Sequence, residues 1–371
     1  MSERASSASI ARALVTGADG FIGRRLIDAL LAAGAAVVAV ARGRPHAPSD
    51  GGARAAPQPE VPGEAPEAAG CDRLAPGTVP NPVAGARLRR VQADLAAPER
   101  EREISEWMRG VSHVFHLAAR AHRPPRAGRA SRASSAEYQR QNVVPTERLA
   151  RAAFDAGVQR FVFVSTLKVH GDTTRGMPLT SDAPYAPADA YARSKMHAEL
   201  ALEQTARASG GEHVILRPPL VYGPGVGANF LRLMHAVARG TPLPFGSVRN
   251  RRSLIYVDNL VEALIACAAH PAAGGGRFVV ADDPPLSTPA LIRALAAAMG
   301  RAPRLVPVAP WLLRAAAAAA GRRAMIASLI DSLECDPSNL RETVGWCPGV
   351  GFEAAIMRTV DWYTRSQIRL H

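Results

Sequence analysis

The chain has 371 residues, of which 47% are hydrophobic, enough for one large α/β domain and a smaller one. Its net charge of +13 comes from arginines scattered along the sequence with no basic run interleaved with aromatics, so we expect no nucleic-acid partner. The four cysteines lack zinc-site spacing, which argues against a metal. No signal peptide or long uncharged apolar run is present, so we expect a cytoplasmic protein without membrane insertion.

The predicted elements alternate from the start of the chain. A short apolar strand at 11–16 leads through a glycine-rich turn into a helix that stops at Gly34, and a second strand ends at Ala41. Strands continue in RLRRVQADL, VSHVFHLAA and RFVFVST, with helices between them. This alternation predicts a Rossmann-type α/β fold with a doubly wound parallel sheet. Residues 43–86 are rich in Pro, Gly and Ala, which predicts a disordered surface insertion.

The turn after the first strand carries three glycines spaced for dinucleotide binding. It reads Thr16-Gly17-Ala18-Asp19-Gly20-Phe21-Ile22-Gly23. Gly17 permits a tight turn, Gly20 lets the backbone approach a pyrophosphate, and Gly23 lets helix and strand pack closely. The following helix points its free N–H groups at the phosphates, so we expect Phe21 and Ile22 to contact the cofactor as well.

The end of the second strand bears on the choice of cofactor. An enzyme that prefers NAD usually places Asp or Glu there, to bind the ribose 2′-hydroxyl. This chain has Ala41 and Arg42 instead, with Arg44 close by, and a guanidinium suits a 2′-phosphate. We therefore expect NADP(H) rather than NAD(H). The alternative is that Arg42 and Arg44 merely begin the insertion.

A second group of residues is suited to proton transfer. Tyr191 and Lys195 are spaced to lie on one helix face, and an ammonium beside a phenol is expected to lower the pKa of Tyr191 towards neutrality. Tyr191 is thus a candidate general acid or base. Ser165 and Thr166 end a central strand at the cofactor crevice, and only one of these adjacent side chains can point into it. We expect Thr166 to orient the substrate oxygen, with Ser165 as the second choice.

A change in amino-acid composition after the helix that carries Tyr191 indicates two domains. Residues 1–215 are expected to form the dinucleotide-binding domain, and residues 250–282 to return to it. Residues 216–249 and 283–371 are expected to form a smaller C-terminal α/β domain that faces the substrate, with a short strand near RLVPV.

These motifs together resemble the extended short-chain dehydrogenase/reductase family, in its branch of nucleotide-sugar epimerases, dehydratases and reductases. The likeness covers nearly the whole chain except 43–86. Further motifs that carry it are His116-Leu117-Ala118-Ala119, Asn142, Arg217-Pro218-Pro219, Tyr222-Gly223-Pro224, the run from Arg252 to Leu260, and Gly345-Trp346-Cys347-Pro348.

The resemblance implies a role for several residues. Thr166, Tyr191 and Lys195 fall on the catalytic positions, and Asn229 and Arg252 match positions that hold the uridine diphosphate of a UDP-sugar substrate. The residues implied in cofactor binding, besides the glycine loop and Arg42, are Asp94 and Leu95 beside the adenine, Ala118, Ala119, Tyr191, Lys195 and Pro218. A homodimer through helices near 137–157 and 190–209 is also implied.

Departures from the family pattern reduce the number of reactions that we expect this chain to catalyse. The sugar 4,6-dehydratases carry Asp-Glu directly after the strand-end Thr, where this chain has Leu167 and Lys168, so we expect no dehydration. The runs Ser-Thr-Leu-Lys-Val-His-Gly, Gly-Ala-Asn-Phe and Arg-Asn-Arg-Arg-Ser-Leu resemble one bacterial subgroup. Its members reduce UDP-4-keto-6-deoxy-N-acetylglucosamine to UDP-N-acetylquinovosamine for surface polysaccharide.

The resulting hypothesis is NADPH-dependent reduction at C4 of a UDP-linked 4-keto-6-deoxy-N-acetylhexosamine, with Tyr191 as the proton donor. Two alternatives stay open. A UDP-hexose 4-epimerase, acting on UDP-glucose or UDP-N-acetylglucosamine, would use the same residues. A non-catalytic dinucleotide sensor is more remote, because such proteins typically lose the Tyr or the Lys, and both are present here.

Overall fold

The structure, a computed structural model, describes residues 10–42, 87–97, 100–120 and 135–368. The predicted insertion at 43–86 lies outside these residues. In chain order the strands are β1 (Arg12–Thr16), β2 (Ala36–Ala41), β3 (Leu88–Gln92), β4 (His113–His116), β5 (Arg160–Val164), β6 (His213–Arg217), β7 (Leu220–Tyr222), β8 (Arg252–Tyr256), β9 (Arg277–Val279) and β10 (Asp282–Leu286).

Helices connect most of these strands. They are α1 (Phe21–Ala32), α2 (Glu101–Trp107), α3 (Ser135–Tyr138), α4 (Val144–Asp155), α5 (Ala190–Ser209), α6 (Ala228–Ala238), α7 (Val257–Ala269), α8 (Thr288–Ala298), α9 (Pro310–Ala319), α10 (Arg323–Ile330), α11 (Ser338–Val344) and α12 (Phe352–Ile368). A π-helical turn at Gln139–Val143 joins α3 to α4, and a 3₁₀ turn follows β5 at Leu167–His170. In the part of the chain that the structure describes, no helix is both long and apolar enough to cross a membrane.

Seven strands form one parallel sheet in the order β3-β2-β1-β4-β5-β6-β9. Alternate residues of each strand enter opposite cores: Val15 packs on the face covered by α1 and α7, and Leu14 on the face covered by α4 and α5. The strand order reverses at β1, where a crevice opens beyond the carboxyl ends of β1 and β4. This confirms the predicted Rossmann-type fold.

A smaller α/β unit lies beyond this sheet. Its three strands run in the order β10-β8-β7, with β7 parallel and β10 antiparallel to β8. Apolar side chains of α6, α8 and α12 cover them in a separate core. Within residues 250–282, α7 and β9 lie with the large sheet and β8 with the small one. The RLVPV segment forms only a single bridge, from Leu305 to Leu243, because Pro303 and Pro307 remove the N–H groups that a longer ladder needs.

A buried ion pair joins α5 to the sheet. Arg217 at the end of β6 lies 2.6 Å from the carboxylate of Glu199 on α5, and both side chains are at most 1% exposed. The guanidinium also donates to the carbonyl of Ser181 and the hydroxyl of Tyr185. It therefore anchors the loop between β5 and α5 as well as α5 itself.

Replacing Arg217 by Met should lower the free energy of unfolding by about 3–5 kcal/mol, because it leaves Glu199 buried without its cation. The matched control is Arg277→Met, which removes a partly exposed guanidinium from Glu203 and should cost about 1 kcal/mol or less. Urea denaturation followed by circular dichroism measures both. Equal losses in the two variants would contradict the structural role of the buried pair.

Candidate active site

The glycine loop leaves no room for side chains. A Cβ on Gly23 would lie 2.2 Å from the carbonyl oxygen of Gly17, and one on Gly17 would lie 2.9 Å from the backbone nitrogen of Ala118. Gly17 also has a φ of +71°, which favours glycine. Helix α1 starts at Phe21 with no acidic residue in its first turn, so the first-turn N–H groups of Phe21 and Ile22 are free to receive an anion.

The ends of β1 and β4 are tied together beside this loop. The hydroxyl of Thr16 accepts a hydrogen bond from the backbone N–H of Ala118 at 3.2 Å and contacts Nδ1 of His116 at 2.7 Å. Ala118 is half-buried and Ala119 exposed. Both therefore lie next to Gly17, at the carboxyl ends of β1 and β4, where the sequence predicts the cofactor.

Arg42 lies at the carboxyl ends of β2 and β3. Its guanidinium donates to the side-chain oxygen of Gln141 at 2.8 Å and reaches the carboxylate of Asp94 at 3.4 Å. Arg42 and Asp94 are exposed, whereas Leu95 is buried. The structure thus brings Arg42 and Asp94 together and gives Arg42 a second partner, Gln141, that the sequence did not suggest.

Helix α5 carries Tyr191 and Lys195 one turn apart, and its N-terminus is capped by Asp189, which accepts the N–H of Ala192 at 2.7 Å. Lys195 is 1% exposed, and its Nζ sits 3.9 Å from the ring centroid of Phe163 on β5. No hydrogen bond or ion pair to Nζ occurs among the residues described. The aromatic face of Phe163 is therefore the contact that favours the ammonium form.

Burial sets the protonation of this pair. It lowers the pKa of Lys195 to about 7, although the charge of Glu199 works in the opposite direction. Burial also raises the pKa of Tyr191 to about 12, and the charge of Asp189 adds to the rise. The expectation that Lys195 would bring the pKa of Tyr191 towards neutrality is wrong for this structure, because desolvation of the phenolate dominates. Tyr191 consequently keeps its proton at neutral pH.

Thr166 begins the 3₁₀ turn after β5, and its hydroxyl oxygen accepts the backbone N–H of Lys168 at 3.3 Å. The ammonium of Lys168 is bound to Asp189 at 2.5 Å and to Asp172 at 3.1 Å. Lys168 thus connects Thr166 to the start of α5, two residues before Tyr191.

Two other predicted residues flank Thr166. The carbonyl of Pro218 accepts the N–H of Leu167 at 2.8 Å. Ser165 is 4% exposed, and its hydroxyl is buried without a hydrogen-bond partner among the described atoms. Ser165 and Thr166 therefore both lie at the predicted strand end, with the hydroxyl of Thr166 already engaged as an acceptor and that of Ser165 unengaged.

A buried hydrogen-bonded chain supports the catalytic helix from behind. Asn142, in the π-helical turn, donates to the hydroxyl of Ser194 at 2.8 Å, and Ser194 donates to the carbonyl of Tyr191 at 2.7 Å. Thr146 donates to the carbonyl of Asn142 at 2.6 Å and contacts His116 at 3.0 Å. Burial lowers the pKa of His116 to about 3, so this ring stays neutral.

The two predicted substrate residues lie in the smaller unit. Arg252 on β8 is half-buried and donates to the backbone carbonyl of Asp331 at 2.9 Å, and burial lowers the pKa of its guanidinium. Asn229 is exposed near the start of α6 and accepts from Arg232 at 3.3 Å. In the described part of the chain no hydrogen bond joins Arg252 to Asn229, and no group of three His, Cys, Asp or Glu side chains is arranged to hold a metal ion.

Sequence reasoning missed Phe163, Lys168 and Asp189 as parts of this site. Three signals were available. Asp189 stands where an N-cap is expected before the helix of Tyr191, and the two-residue period of a strand places Phe163 on the same face as Ser165. A third signal is compositional. The chain has 45 Lys and Arg residues, yet Lys168 and Lys195 are its two lysines.

Three comparisons with known proteins agree with this geometry. The family model described as NAD dependent epimerase/dehydratase family matches residues 13–281. A UDP-glucose 4-epimerase of Vibrio cholerae is 37% identical over 264 residues, which are 71% of this chain and 80% of that protein. A UDP-glucose 4-epimerase of Mycolicibacterium smegmatis is 30% identical over 363 residues, 95% of this chain and 98% of that protein.

A solved structure is similar over almost the whole chain. It is MoeE5 in complex with UDP-glucuronic acid and NAD, with a TM-score of 0.69 and 25% identity, covering 96% of this chain and 99% of that one. The similarity thus extends beyond the large sheet to the smaller unit.

Replacing Phe163 by Leu should lower the pKa of Lys195 further, by about half a pH unit or more, because a cation–π contact of about 0.5–2 kcal/mol is lost. NMR of isotope-labelled lysine measures this directly, since the two lysine signals are separable and Lys168 serves as the internal reference. Phe163→Tyr keeps the aromatic face and should keep the value. Phe161→Leu is the packing control, and an equal fall there would contradict the assignment.

Proposed function

Because the chain belongs to the NAD-dependent epimerase/dehydratase family of nucleotide-sugar enzymes, we propose that it reduces the C4 carbonyl of a UDP-linked 4-keto-6-deoxy-N-acetylhexosamine. The product is UDP-N-acetylquinovosamine, used for surface polysaccharide. The observation that carries this proposal is the ammonium of Lys168, held by Asp189 at 2.5 Å and Asp172 at 3.1 Å beside Thr166, because it puts a cation where the dehydratases carry an acid. Reduction of the C4 carbonyl needs only a proton donor, and Tyr191 is the candidate for that role.

The chain's own residues account for the proton transfer. NADPH, when bound, supplies the hydride for C4. Tyr191 donates its proton to the oxygen that becomes an alkoxide, a stronger base than the phenolate left behind. Lys195, one turn away, holds the nicotinamide ribose, and Thr166 orients the carbonyl oxygen.

Lys168 argues against dehydration. It occupies the second of the two positions where the dehydratases carry acids. Burial disfavours its charge, but the hydrogen bond and charge of Asp189, together with Asp172, outweigh burial and raise the pKa of Lys168. A fixed ammonium cannot accept a proton from the sugar, so elimination of water has no base here.

Arg252 supports a UDP-linked substrate. One of its donors is used by the carbonyl of Asp331, and the remaining face of the planar guanidinium matches the geometry of a pyrophosphate. Burial in a low dielectric strengthens such a pair. MoeE5, which shares the fold of both units, binds UDP-glucuronic acid and NAD, in keeping with Asn229 and Arg252 as UDP-binding residues.

The cofactor and the assembly are parts of the same proposal. We assign NADP(H) because no acid ends β2, where NAD enzymes usually place one, and the guanidinium of Arg42 that follows it suits a 2′-phosphate. We assign a homodimer through α4 and α5, the two helices at which the family resemblance implies the contact.

A second candidate is a UDP-hexose 4-epimerase. It is favoured by the two relatives from Vibrio cholerae and Mycolicibacterium smegmatis, both UDP-glucose 4-epimerases. This activity uses Tyr191 and Lys195 as well, but it recycles the cofactor in place and gives no net oxidation of NADPH.

The deciding experiment supplies UDP-4-keto-6-deoxy-N-acetylglucosamine and NADPH to the purified protein. We expect NADPH to be consumed in equal amount to the reduced sugar nucleotide, and Tyr191→Phe to lower kcat by about 10²–10⁴-fold while the cofactor still binds. UDP-glucose and UDP-N-acetylglucosamine with NAD form the parallel arm. Epimer formation there, with NADPH unchanged in the first arm, would establish the epimerase instead.

Replacing Arg42 by Ala should raise KM for NADPH by about 10–100-fold, because a charge-assisted hydrogen bond to the 2′-phosphate is lost. KM for NADH should stay within about twofold, since that cofactor lacks the phosphate. Arg109→Ala, an exposed arginine after α2, controls for the loss of charge. A parallel rise for both cofactors would contradict the assignment of NADP(H).

A further inference from the structure

Helix α9 presents an apolar face to the outside of the smaller unit. Its inward side chains are Leu313 and Ala317, one turn apart. Trp311 is 66% exposed and Leu312 45% exposed. The outward positions, at helical spacing along α9 and its C-cap, are Trp311, Leu312, Ala315, Ala316, Ala319 and Ala320. A surface helix normally turns polar residues outward, so this face is built for contact with something other than water.

The sequence on either side of α9 is rich in arginine and poor in acids. Residues 284–330 contain six arginines and no Asp or Glu, although the chain has 32 acidic residues in all. Arg314 is paired with Asp331 at 2.6 Å. The others are exposed and make no ion pair with the residues that the structure describes; they are Arg293, Arg301, Arg304, Arg322 and Arg323. Exposed arginines therefore precede α9 in the chain, and Arg322 and Arg323 follow it directly.

A cleft of about 430 Å³ adjoins this face, between α9 and α10. Apolar side chains of Ala317, Ala318 and Ile326 line it together with Arg323 and with Arg314, which is paired there with Asp331. Apolar walls beside the remaining guanidinium of Arg323 suit a molecule that is hydrophobic at one end and anionic at the other.

We propose that the arginine-flanked face of α9 docks on an anionic phospholipid surface, with the helix lying in the plane of the membrane. An amphipathic helix with Trp and Leu on one side and basic residues around it binds such interfaces through apolar burial and electrostatic attraction together. Trp prefers the boundary between headgroups and acyl chains, which is where Trp311 would sit.

Charge complementarity selects this occupant over others. A second copy of the chain would bring the exposed arginines Arg322 and Arg323 against like charges. Nucleic acid would satisfy the arginines but would leave the apolar side chains of Trp311 and Leu312 against phosphates. An anionic membrane surface accommodates both groups, because its headgroups pair with the arginines and its acyl region buries Trp311 and Leu312.

The test is flotation of the full-length protein with vesicles of phosphatidylglycerol and phosphatidylcholine, against vesicles of phosphatidylcholine alone. We expect binding to the anionic vesicles only, weakening as salt is raised. Replacing Trp311 and Leu312 together by Ser should weaken binding at least about tenfold through lost apolar burial. The double variant Arg322→Gln with Arg323→Gln should weaken it about 25-fold, at about fivefold for each arginine.

Matched controls remove the same chemistry elsewhere. Met357→Ser takes away a side chain that is 66% exposed on α12, and Arg102→Gln with Arg109→Gln removes two exposed arginines near α2. Both should bind vesicles within about twofold of the unchanged protein. An equal loss in the Arg102 and Arg109 variant would overturn the proposal, because it would trace binding to the net charge of the whole chain.

Two further results would also overturn it. One is an absence of binding by the unchanged protein. The other is a loss of oligomeric mass in the Trp311 and Leu312 variant, measured by light scattering without vesicles, because α9 would then be covered by a second copy. NADPH turnover and circular dichroism show that each variant is folded, and the exposed pair Arg322 and Arg323 tests the surface without disturbing the core.

Discussion

The ion pair between Glu199 and Arg217 is the constraint on which the site depends. Tyr191, Lys195 and Glu199 follow one another at four-residue spacing, so they share the face of α5 that meets the sheet. Glu199 binds the arginine at the end of β6, and this fixes the rotation of the helix. In that rotation Lys195 lies over Phe163, and the ring of Tyr191 lies 6.4 Å from that of Tyr138. A charged pair at such depth adds little net stability, but it excludes other registers of α5 on the sheet.

Desolvation then decides what the catalytic pair can do. The same burial acts in opposite directions on a phenol and an amine, since it disfavours the charged form of each. Tyr191 therefore keeps its proton, and Lys195 holds its proton less firmly, with the ring of Phe163 as the compensating contact. A protonated tyrosine at this position is able to donate the proton in the reduction that we propose.

Arginine and lysine occupy different kinds of position in this chain. Arginine serves nearly everywhere in this chain, including the buried pair and the surroundings of α9. The chain has lysine at two positions. At Lys195 a compact ammonium with an adjustable pKa is needed. At Lys168 the three donors of the ammonium reach two carboxylates, Asp172 and Asp189, from a short loop. Between residues 284 and 330 the arginines are about as dense as elsewhere in the chain, but that segment contains no Asp or Glu, and Asp331 directly after it pairs with Arg314.

Much of the fold and part of the site were determined by the sequence alone. The Rossmann order follows from local alternation of apolar strands and helices, and the glycine loop is recognised by a spacing within eight residues, although the backbone that crowds Gly17 belongs to Ala118. The spacing of Tyr191 and Lys195 is equally local. Tertiary structure alone decided the remainder: the pKa of Tyr191, the ring beneath Lys195, the sheet of β7, β8 and β10, and the partner of Arg252. Periodicity is a property of neighbours in sequence, whereas desolvation and contact depend on segments that lie far apart in the chain. The exposed face of α9 was also decided by the tertiary structure, because only packing shows that Leu313 and Ala317 are the side turned inward.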